Sequence, residues 1–140
     1  MPRLPIDHID DPRVAIYRDL PQQNLTRHSR RFIAEGDKVA LRLIDSSFPV
    51  ESLLVEEGLA DHFAARLPPE TPVYVMSKQL LQQTVGFRFH RGVMACGVRQ
   101  AGPTLDALMS NVVNREASTF VVCPDVQDPT DLGSIIRSAA

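Results

Sequence analysis

The chain has 140 residues, of which 44% are hydrophobic and 23% are charged, a composition that predicts a soluble globular protein with room for one domain of ordinary size. The formal net charge of -2 excludes a strongly basic protein, so any binding of nucleic acid would depend on local clusters of Arg and Lys. Cys96 and Cys123 form no C-x-x-C pair, and no apolar run could span a bilayer, so we expect a cytoplasmic protein without disulfides or a membrane partner.

The N-terminal region, residues 1 to about 30, is rich in proline and charge and predicts an arm whose only element is a helix from about Asp11 to Leu20. A basic cluster, Arg27-His28-Ser29-Arg30-Arg31, follows it. Arg27, Arg30 and Arg31 are therefore candidates for contacts with RNA phosphates. A solvated polar face explains the same three arginines equally well.

The middle of the chain alternates between two hydrophobic periods. A brief strand at 32–36 ends in the Glu35-Gly36 turn, a helix begins at Asp37, and later segments predict strands at 52–55 and 73–75 and helices at 59–67 and 77–84, the last capped by Ser77. This alternation predicts helices packed on a mostly parallel or mixed sheet.

A loop at residues 86–92 interleaves two phenylalanines with basic side chains. Aromatic rings and arginines together can stack on and pair with RNA, which makes Arg88, His90 and Arg91 candidates for substrate binding. The alternative is that Phe87 and Phe89 belong to the core and the loop packs on a neighbouring domain. A strand at 93–98 and a helix at 105–109 follow, with the domain boundary expected between residues 100 and 115.

The last quarter of the chain has the pattern of a strand, a turn and a helix. The β-branched and aromatic run at 119–123 predicts a buried strand, and Asp128-Pro129 predicts the N-terminus of a helix. Gly133 and Arg137 are one helical turn apart and share a face, where a ligand backbone can approach the guanidinium. This pair suits a phosphate or a ribose. Because the chain stops within this helix, we expect it to be a fragment of a longer protein.

Four segments together resemble one family, the SpoU-type (TrmH-like) RNA ribose 2′-O-methyltransferases of the SPOUT superfamily. The segments are Asp11-Pro12-Arg13…Tyr17-Arg18-Asp19-Leu20, Phe32-Ile33-Ala34-Glu35-Gly36, His90-Arg91-Gly92 and Asp128-Pro129-x-x-x-Gly133-x-x-x-Arg137. The resemblance covers nearly the whole chain, and the last segment is similar to the family's first catalytic motif. It implies an arm (1–30), a small three-layer α/β/α substrate-binding domain with a mixed sheet (31–100), a linker (101–116), and the first strand and helix of a truncated SPOUT catalytic domain (117–140).

The same resemblance implies the chemistry. The parent enzyme would transfer a methyl group from S-adenosylmethionine to a ribose 2′-oxygen of ribosomal or transfer RNA, as a homodimer. Two later motifs build the knot that holds the cofactor, and this sequence lacks them, so the fragment alone is expected neither to bind the cofactor nor to be active. Arg137 is the implied catalytic arginine, and its high intrinsic pKa favours positioning and charge stabilisation over proton abstraction.

Asp131 departs from the family pattern, which usually has asparagine at this position. The helix dipole favours an anion in the first helical turn, although a carboxylate there repels an RNA phosphate. Gly133 and Arg137, with Asp131, are therefore the predicted catalytic and ribose-binding residues of the second domain.

Two other functions stay open. The chain could be a non-catalytic RNA-binding module that uses the basic cluster and the 86–92 loop, or a protein-interaction domain that uses the exposed aromatics. The remaining histidines, His8, His28 and His62, have no H-x-x-x-H or H-E-x-x-H spacing, so we expect no metal. Cys96 and Cys123 are predicted to be buried small side chains in strands. We expect no DNA partner.

Overall fold

The computed structural model describes residues 3–18, 29–86, 89, 91–110, 112–113 and 116–139, with the side chain of Pro129 outside this description. The chain divides into two compact units, Met1–Ala101 and Gly102–Ala140, so that the division falls at the start of the predicted linker. In the described part of the chain, no helix has both the length and the apolarity needed to cross a membrane.

Five strands of the first unit form one mixed sheet in the order β1-β4-β3-β5-β2. They are β1 (Arg3–Pro5), β2 (Arg31–Glu35), β3 (Val50–Glu56), β4 (Val73–Met76) and β5 (Val93–Val98). β4 pairs in parallel with β1 and β3, whereas β5 pairs antiparallel with β3 and β2. The helices formed by the described residues of this unit include α1 (Asp37–Ile44), α2 (Ala60–Ala64) and α3 (Lys78–Val85), together with short 3-10 helices at Pro12–Tyr17 and Glu57–Leu59.

The strand side chains alternate between two cores, one on each face of the sheet. Leu53 and Val55 of β3 pack with α1 and α2, whereas Leu54, between them in sequence, packs on the opposite face with α3 and the first 3-10 helix. Helices therefore cover both faces of a mixed sheet. The predicted fold class, a three-layer α/β/α domain, is confirmed.

The local signals that begin and end the helices also hold. Ser77 caps α3, since its Oγ accepts a hydrogen bond from the Leu80 N–H at 3.3 Å, and Gly86 ends this helix at a φ of 74°. The helix predicted at 59–67 is shorter than expected, because the 3-10 turn Glu57–Leu59 replaces its start and α2 ends at Ala64.

The prediction that one helix would be the only element before residue 30 is wrong. β1 pairs with β4, and the Ile6 N–H extends this pairing by donating to the Val75 carbonyl at 2.9 Å. Pro5 is compatible with β1 because an edge strand leaves one row of backbone groups unpaired. The predicted helix is a 3-10 helix, Pro12–Tyr17, whose Val14 and Tyr17 are completely buried. The described part of the predicted arm thus belongs to the first unit.

The described residues of the second unit form two helices, α4 (Leu105–Ser110) and α5 (Pro129–Ala139). The strand predicted at 119–123 is wrong: these residues are irregular, and the side chains of Phe120 and Val122 are 56% and 81% exposed. A strand needs a hydrogen-bonding partner, and the described residues of this unit contain no other strand. The apolar sequence alone therefore does not produce the element.

Candidate functional site

The start of α5 is built by Asp128. Its Oδ1 accepts a hydrogen bond from the Thr130 N–H at 2.7 Å, and its carbonyl accepts one from the Leu132 N–H at 3.1 Å. The hydrogen bond from Thr130 stabilises the charged carboxylate and lowers the pKa of Asp128 below its usual value. Pro129 follows as the first helical residue, where its missing N–H costs nothing. Asp128 therefore caps the helix, as predicted.

Gly133 and Arg137 lie together on α5. The guanidinium of Arg137 folds back along the helix, and its Nη1 lies 3.4 Å from the position that a Cβ on Gly133 would occupy. Its Nη2 donates a hydrogen bond to Ser134 Oγ at 3.1 Å. The exposed guanidinium therefore covers the bare backbone of Gly133, and the prediction that the two residues share a face is confirmed.

Asp131 lies in the first turn of the same helix and is exposed. Among the described residues its carboxylate has no hydrogen-bond or ion-pair partner, so its charge is balanced only by the helix N-terminus and solvent. The roles of Asp131, Gly133 and Arg137 in catalysis or substrate binding stay predictions.

The described residues 102–139 do not by themselves fit S-adenosylmethionine. Each of their described side chains is exposed or partly exposed, whereas a nucleoside cofactor needs enclosing walls. Two cavities of about 230 Å³ and 440 Å³ are lined by residues of the first unit. No step of a reaction can therefore be derived for the cofactor from these residues.

The Glu35-Gly36 turn and the end of the 86–92 loop lie side by side, because β2 and β5 pair antiparallel. The Gly36 N–H donates to the Val93 carbonyl at 2.9 Å, and the aliphatic part of the Arg91 side chain lies over Gly36. Arg91 is exposed at this end of the sheet. Phe89 is 2% exposed and belongs to the core, so the alternative that phenylalanines of this loop are core residues is correct for Phe89.

The three arginines of the basic cluster have different environments. Arg30 is exposed, has a positive φ of 53°, and accepts the Arg99 N–H at its carbonyl at 2.7 Å. Arg31 Nε donates a hydrogen bond to Glu51 Oε2 at 2.5 Å. This hydrogen bond raises the pKa of Arg31 and occupies part of its guanidinium group. Arg27, Arg88, His90 and Phe87 lie outside the described residues. The RNA-binding roles of Arg27, Arg30, Arg31, Arg88, His90 and Arg91 stay predictions.

A feature that the sequence analysis missed is a cavity of about 440 Å³ between β2 and α1, called here the β2–α1 groove. Residues from four separate segments line it, among them Phe32, Val39, Arg42, Leu43, Phe48 and Arg99. Phe48 lies between two serines and a proline, a sequence typical of the end of a helix, and Arg42 and Arg99 belong to no basic run. Only the fold brings them together.

Cys96 lies in β5 and is fully buried, whereas Cys123 lies in no strand and is partly exposed, so the prediction of two buried strand cysteines is correct only for Cys96. Burial, then the charge of Glu51, raises the pKa of the Cys96 thiol to about 12. Within the described ranges, no group of three or more His, Cys, Asp and Glu side chains could hold a metal ion.

Comparison with solved structures finds RNA methyltransferases. A structure described as an RNA 2′-O ribose methyltransferase is 20% identical, with a TM-score of 0.58, and the match covers 99% of this chain and 51% of that one. Two structures of an rRNA methyltransferase from Sinorhizobium meliloti, one with AdoMet bound, are 18% identical, with TM-scores of 0.57 and 0.58 over 71% of this chain and 38% of theirs. Comparison with protein-family models and with curated proteins gives no match.

At these identities the likeness concerns the fold. The chain shares the mixed α/β fold of these RNA methyltransferase structures, so the predicted resemblance is confirmed at the level of the fold. The chain spans about half, or less, of the length of the structures that it matches.

Proposed function

We propose that this chain is the RNA-recognition domain and the opening catalytic helix of an S-adenosylmethionine-dependent RNA 2′-O-ribose methyltransferase. The observation that carries the proposal is the match over 99% of the chain, both units included, to an RNA 2′-O ribose methyltransferase structure. The substrate would be ribosomal or transfer RNA. The cofactor would be held by segments beyond these 140 residues, so that the chain alone would bind RNA without methylating it.

Arg137 would position the ribose. Its planar guanidinium can bind a phosphate or ribose oxygens through parallel N–H donors, and the bare backbone of Gly133 beneath it would let the sugar approach closely. The side chain is already folded along the helix by its hydrogen bond to Ser134, which reduces the conformational entropy lost on binding. Asp131, six residues earlier on α5, would keep the backbone phosphate away from the first turn and so restrict the register of the RNA.

The proposed partners follow from the same assignment. The enzyme would be a cytoplasmic homodimer that acts on RNA and not on DNA, since the 2′-hydroxyl is the acceptor and DNA lacks it. Arg30 and Arg91, both exposed on the first unit, would contact the RNA backbone. Arg27, Arg88 and His90 would make further contacts with the RNA.

The test uses the full-length protein that carries this chain, with S-adenosylmethionine labelled in its methyl group and ribosomal or transfer RNA. Methylation of a 2′-oxygen blocks alkaline cleavage of the adjacent phosphodiester, so the product is an alkali-resistant dinucleotide that carries the label. Arg137→Ala and Arg137→Lys should both lose at least about 100-fold in turnover, because lysine keeps the charge but not the planar fork. Their RNA affinity should fall much less.

Lys78→Ala is the matched control, because Lys78 is an exposed cation at the start of α3 in the first unit. It removes one positive charge and should leave turnover unchanged. Label on a base, or unchanged turnover in both Arg137 variants, would contradict the proposal. RNA binding without methyl transfer by the full-length protein would instead identify a non-catalytic RNA-binding module.

A further inference from the structure

We propose that the β2–α1 groove binds one unpaired base of RNA together with its neighbouring phosphate. This inference rests on the proposed function, because it identifies which part of the first unit reads the RNA. The groove lies at the β2 edge of the sheet, since β5 is the neighbour of β2 among the described strands. Its volume of about 440 Å³ is within the range of small-molecule sites, roughly 300–1,000 Å³.

The wall of the groove is aromatic and held in place. The rings of Phe32 and Phe48 meet edge to face, with centroids 5.6 Å apart and planes at 86°. The Phe32 ring packs on Gly97, where its Cζ lies 2.5 Å from the position of an added Cβ, so only glycine permits this ring position. Phe48 remains 40% exposed and Val39 44% exposed, although both line a concavity. The groove therefore presents an exposed ring, and a second ring with a fixed position, to a ligand.

The rim of the groove is cationic. Arg42 and Arg99 both line it and are exposed, and among the described residues neither guanidinium has an ion pair or a hydrogen bond. Other arginines of the first unit do have such partners: Arg31 pairs with Glu51, and Arg66 pairs with Asp45 at 3.4 Å. The described lining of the groove includes no acidic side chain. The charge of the groove is thus complementary to an anion.

An unpaired nucleotide fits both features at once. Its base has a flat π-face that stacks on phenylalanine, and its phosphate is bound by arginine. A base within a duplex is already stacked on its neighbours and cannot enter the groove, so the ligand is single-stranded RNA. An extended peptide could pair with the free edge of β2, but it would leave Arg42 and Arg99 without a charged partner.

The test measures the affinity of the whole chain for three fluorescein-labelled probes of equal length: single-stranded RNA, the same strand in a duplex, and an abasic ribose-phosphate chain. Fluorescence anisotropy gives each dissociation constant. We expect the single strand to bind about tenfold more tightly than the abasic chain, because the abasic chain keeps the phosphates and loses only stacking. The duplex should bind no better than the abasic chain.

Variants assign the effect to the groove. Phe48→Ala should remove the difference in affinity between the single strand and the abasic chain. Phe48→Leu should have the same effect, and because it keeps an apolar side chain, it controls for misfolding. Ile9→Ala is the matched control, because Ile9 is 36% exposed and is not among the residues that line the groove. The double variant Arg42→Ala/Arg99→Ala should reduce the slope of log affinity against log salt by about 0.7, the value for one phosphate of a single strand, and each single variant should reduce it by no more than that. Lys78→Ala, at the start of α3, should leave that slope unchanged.

The outcomes separate the inference from the proposed function. If the chain binds RNA but does not distinguish the single strand from the abasic chain, or if the Phe48 variants bind both as the unmodified chain does, the groove inference is wrong and the proposed function stands. If the chain binds none of the three probes at low salt, both fail. If an unstructured peptide bound the chain at the edge of β2 and displaced the single-stranded RNA, the groove would be a peptide site and the inference would be overturned.

Discussion

The side chain of Arg91 lies directly over Gly36, so that a Cβ added to Gly36 would come within 2.6 Å of Arg91 Cδ. Gly36 has a φ of 86° and a ψ of 159°, a region that is essentially restricted to glycine. The two residues come from turns that are far apart in sequence and adjacent in space, because β2 pairs antiparallel with β5. Gly36 therefore determines the path of the exposed Arg91 side chain.

Gly36→Ala should destabilise the first unit by about 1–3 kcal/mol, because the new side chain is strained at this φ and also displaces Arg91. The free energy of unfolding in urea measures this change. Gly58→Ala is the matched control, since no atom lies within 4 Å of the Cβ position at Gly58. It should change stability by less than about 1 kcal/mol. Equal effects of the two substitutions would show that Gly36 adopts another conformation.

Tyr17 and Ser52 form a hydrogen bond of 2.7 Å between their hydroxyl oxygens inside the core, where they are 0% and 4% exposed. Tyr17→Phe leaves the Ser52 hydroxyl without this partner and should cost about 1–3 kcal/mol in the free energy of unfolding. Ser52→Ala should also destabilise the protein. The double variant should cost less than the sum of the two single variants, because it leaves no unpaired member of the pair. Strictly additive costs would contradict this coupling.

Cys96 should react slowly with iodoacetamide in the folded protein. Burial raises the pKa of its thiol to about 12, so at pH 8 its thiolate fraction is on the order of a thousandfold below that of an unperturbed cysteine. Cys123 is partly exposed and should be modified first, as mass spectrometry of digests would show. Urea should make the two sites react at similar rates. Fast modification of Cys96 in the folded state would contradict its burial.

The raised pKa values of Cys96 and Tyr17 predict a loss of stability at alkaline pH. Burial raises the pKa of Tyr17 well above its usual value, so the folded protein keeps a proton that the unfolded chain releases. The contribution of such a group is complete below its unfolded pKa and declines as pH rises above it, from about 8.5 for Cys96 and about 10 for Tyr17. Urea midpoints between pH 7 and 11 should therefore fall. Tyr17→Phe should flatten the decline above about pH 10.

Helix α5 should weaken at acidic pH. The pKa of Asp128 is lowered by the Thr130 N–H, so its capping contribution is present above the unfolded value of about 3.9 and is lost as pH falls through the lower folded value. The protection factors of the α5 amides, which are NMR exchange rates corrected for the intrinsic pH dependence of amide exchange, should fall over this range. Asp128→Asn keeps a capping oxygen but cannot titrate, and should abolish the pH dependence, whereas Asp128→Ala should weaken the helix at every pH. An unchanged profile in Asp128→Asn would assign the effect to another carboxylate.

Local chemistry explains what could be predicted from the sequence. Ser77 and Asp128 are capping residues whose function depends on their own side chain and the next turn, and both form the predicted caps. Strands such as β3 and β5 are recognisable because their buried central residues, 53–55 and 93–96, form apolar runs. Gly133 and Arg137 are four residues apart, so they share a face of the helix whatever the tertiary contacts around it.

The remaining features depend on partners that are distant in sequence. β1 has only three residues and ends at a proline, so nothing local distinguishes it from a loop, and it is a strand only because β4 is adjacent. The run at 119–123 is the opposite case. Its composition is typical of a strand, but the described residues of its unit include no strand with which it could pair. The β2–α1 groove is lined by Arg42, Phe48 and Arg99. These side chains lie near one another because α1 packs against β2.

The strand order has a consequence for biosynthesis. β2 is translated before β3 and β4, but its partner among the described strands is β5, through pairs such as Arg31 with Val98. Until β5 has been translated, β2 lacks this neighbour and the edge of β3 that β5 will cover remains open to other nascent chains. Synthesis and folding of the first unit are thereby tied to one late event, and slowed translation between β4 and β5 would prolong the interval in which a holdase chaperone could bind.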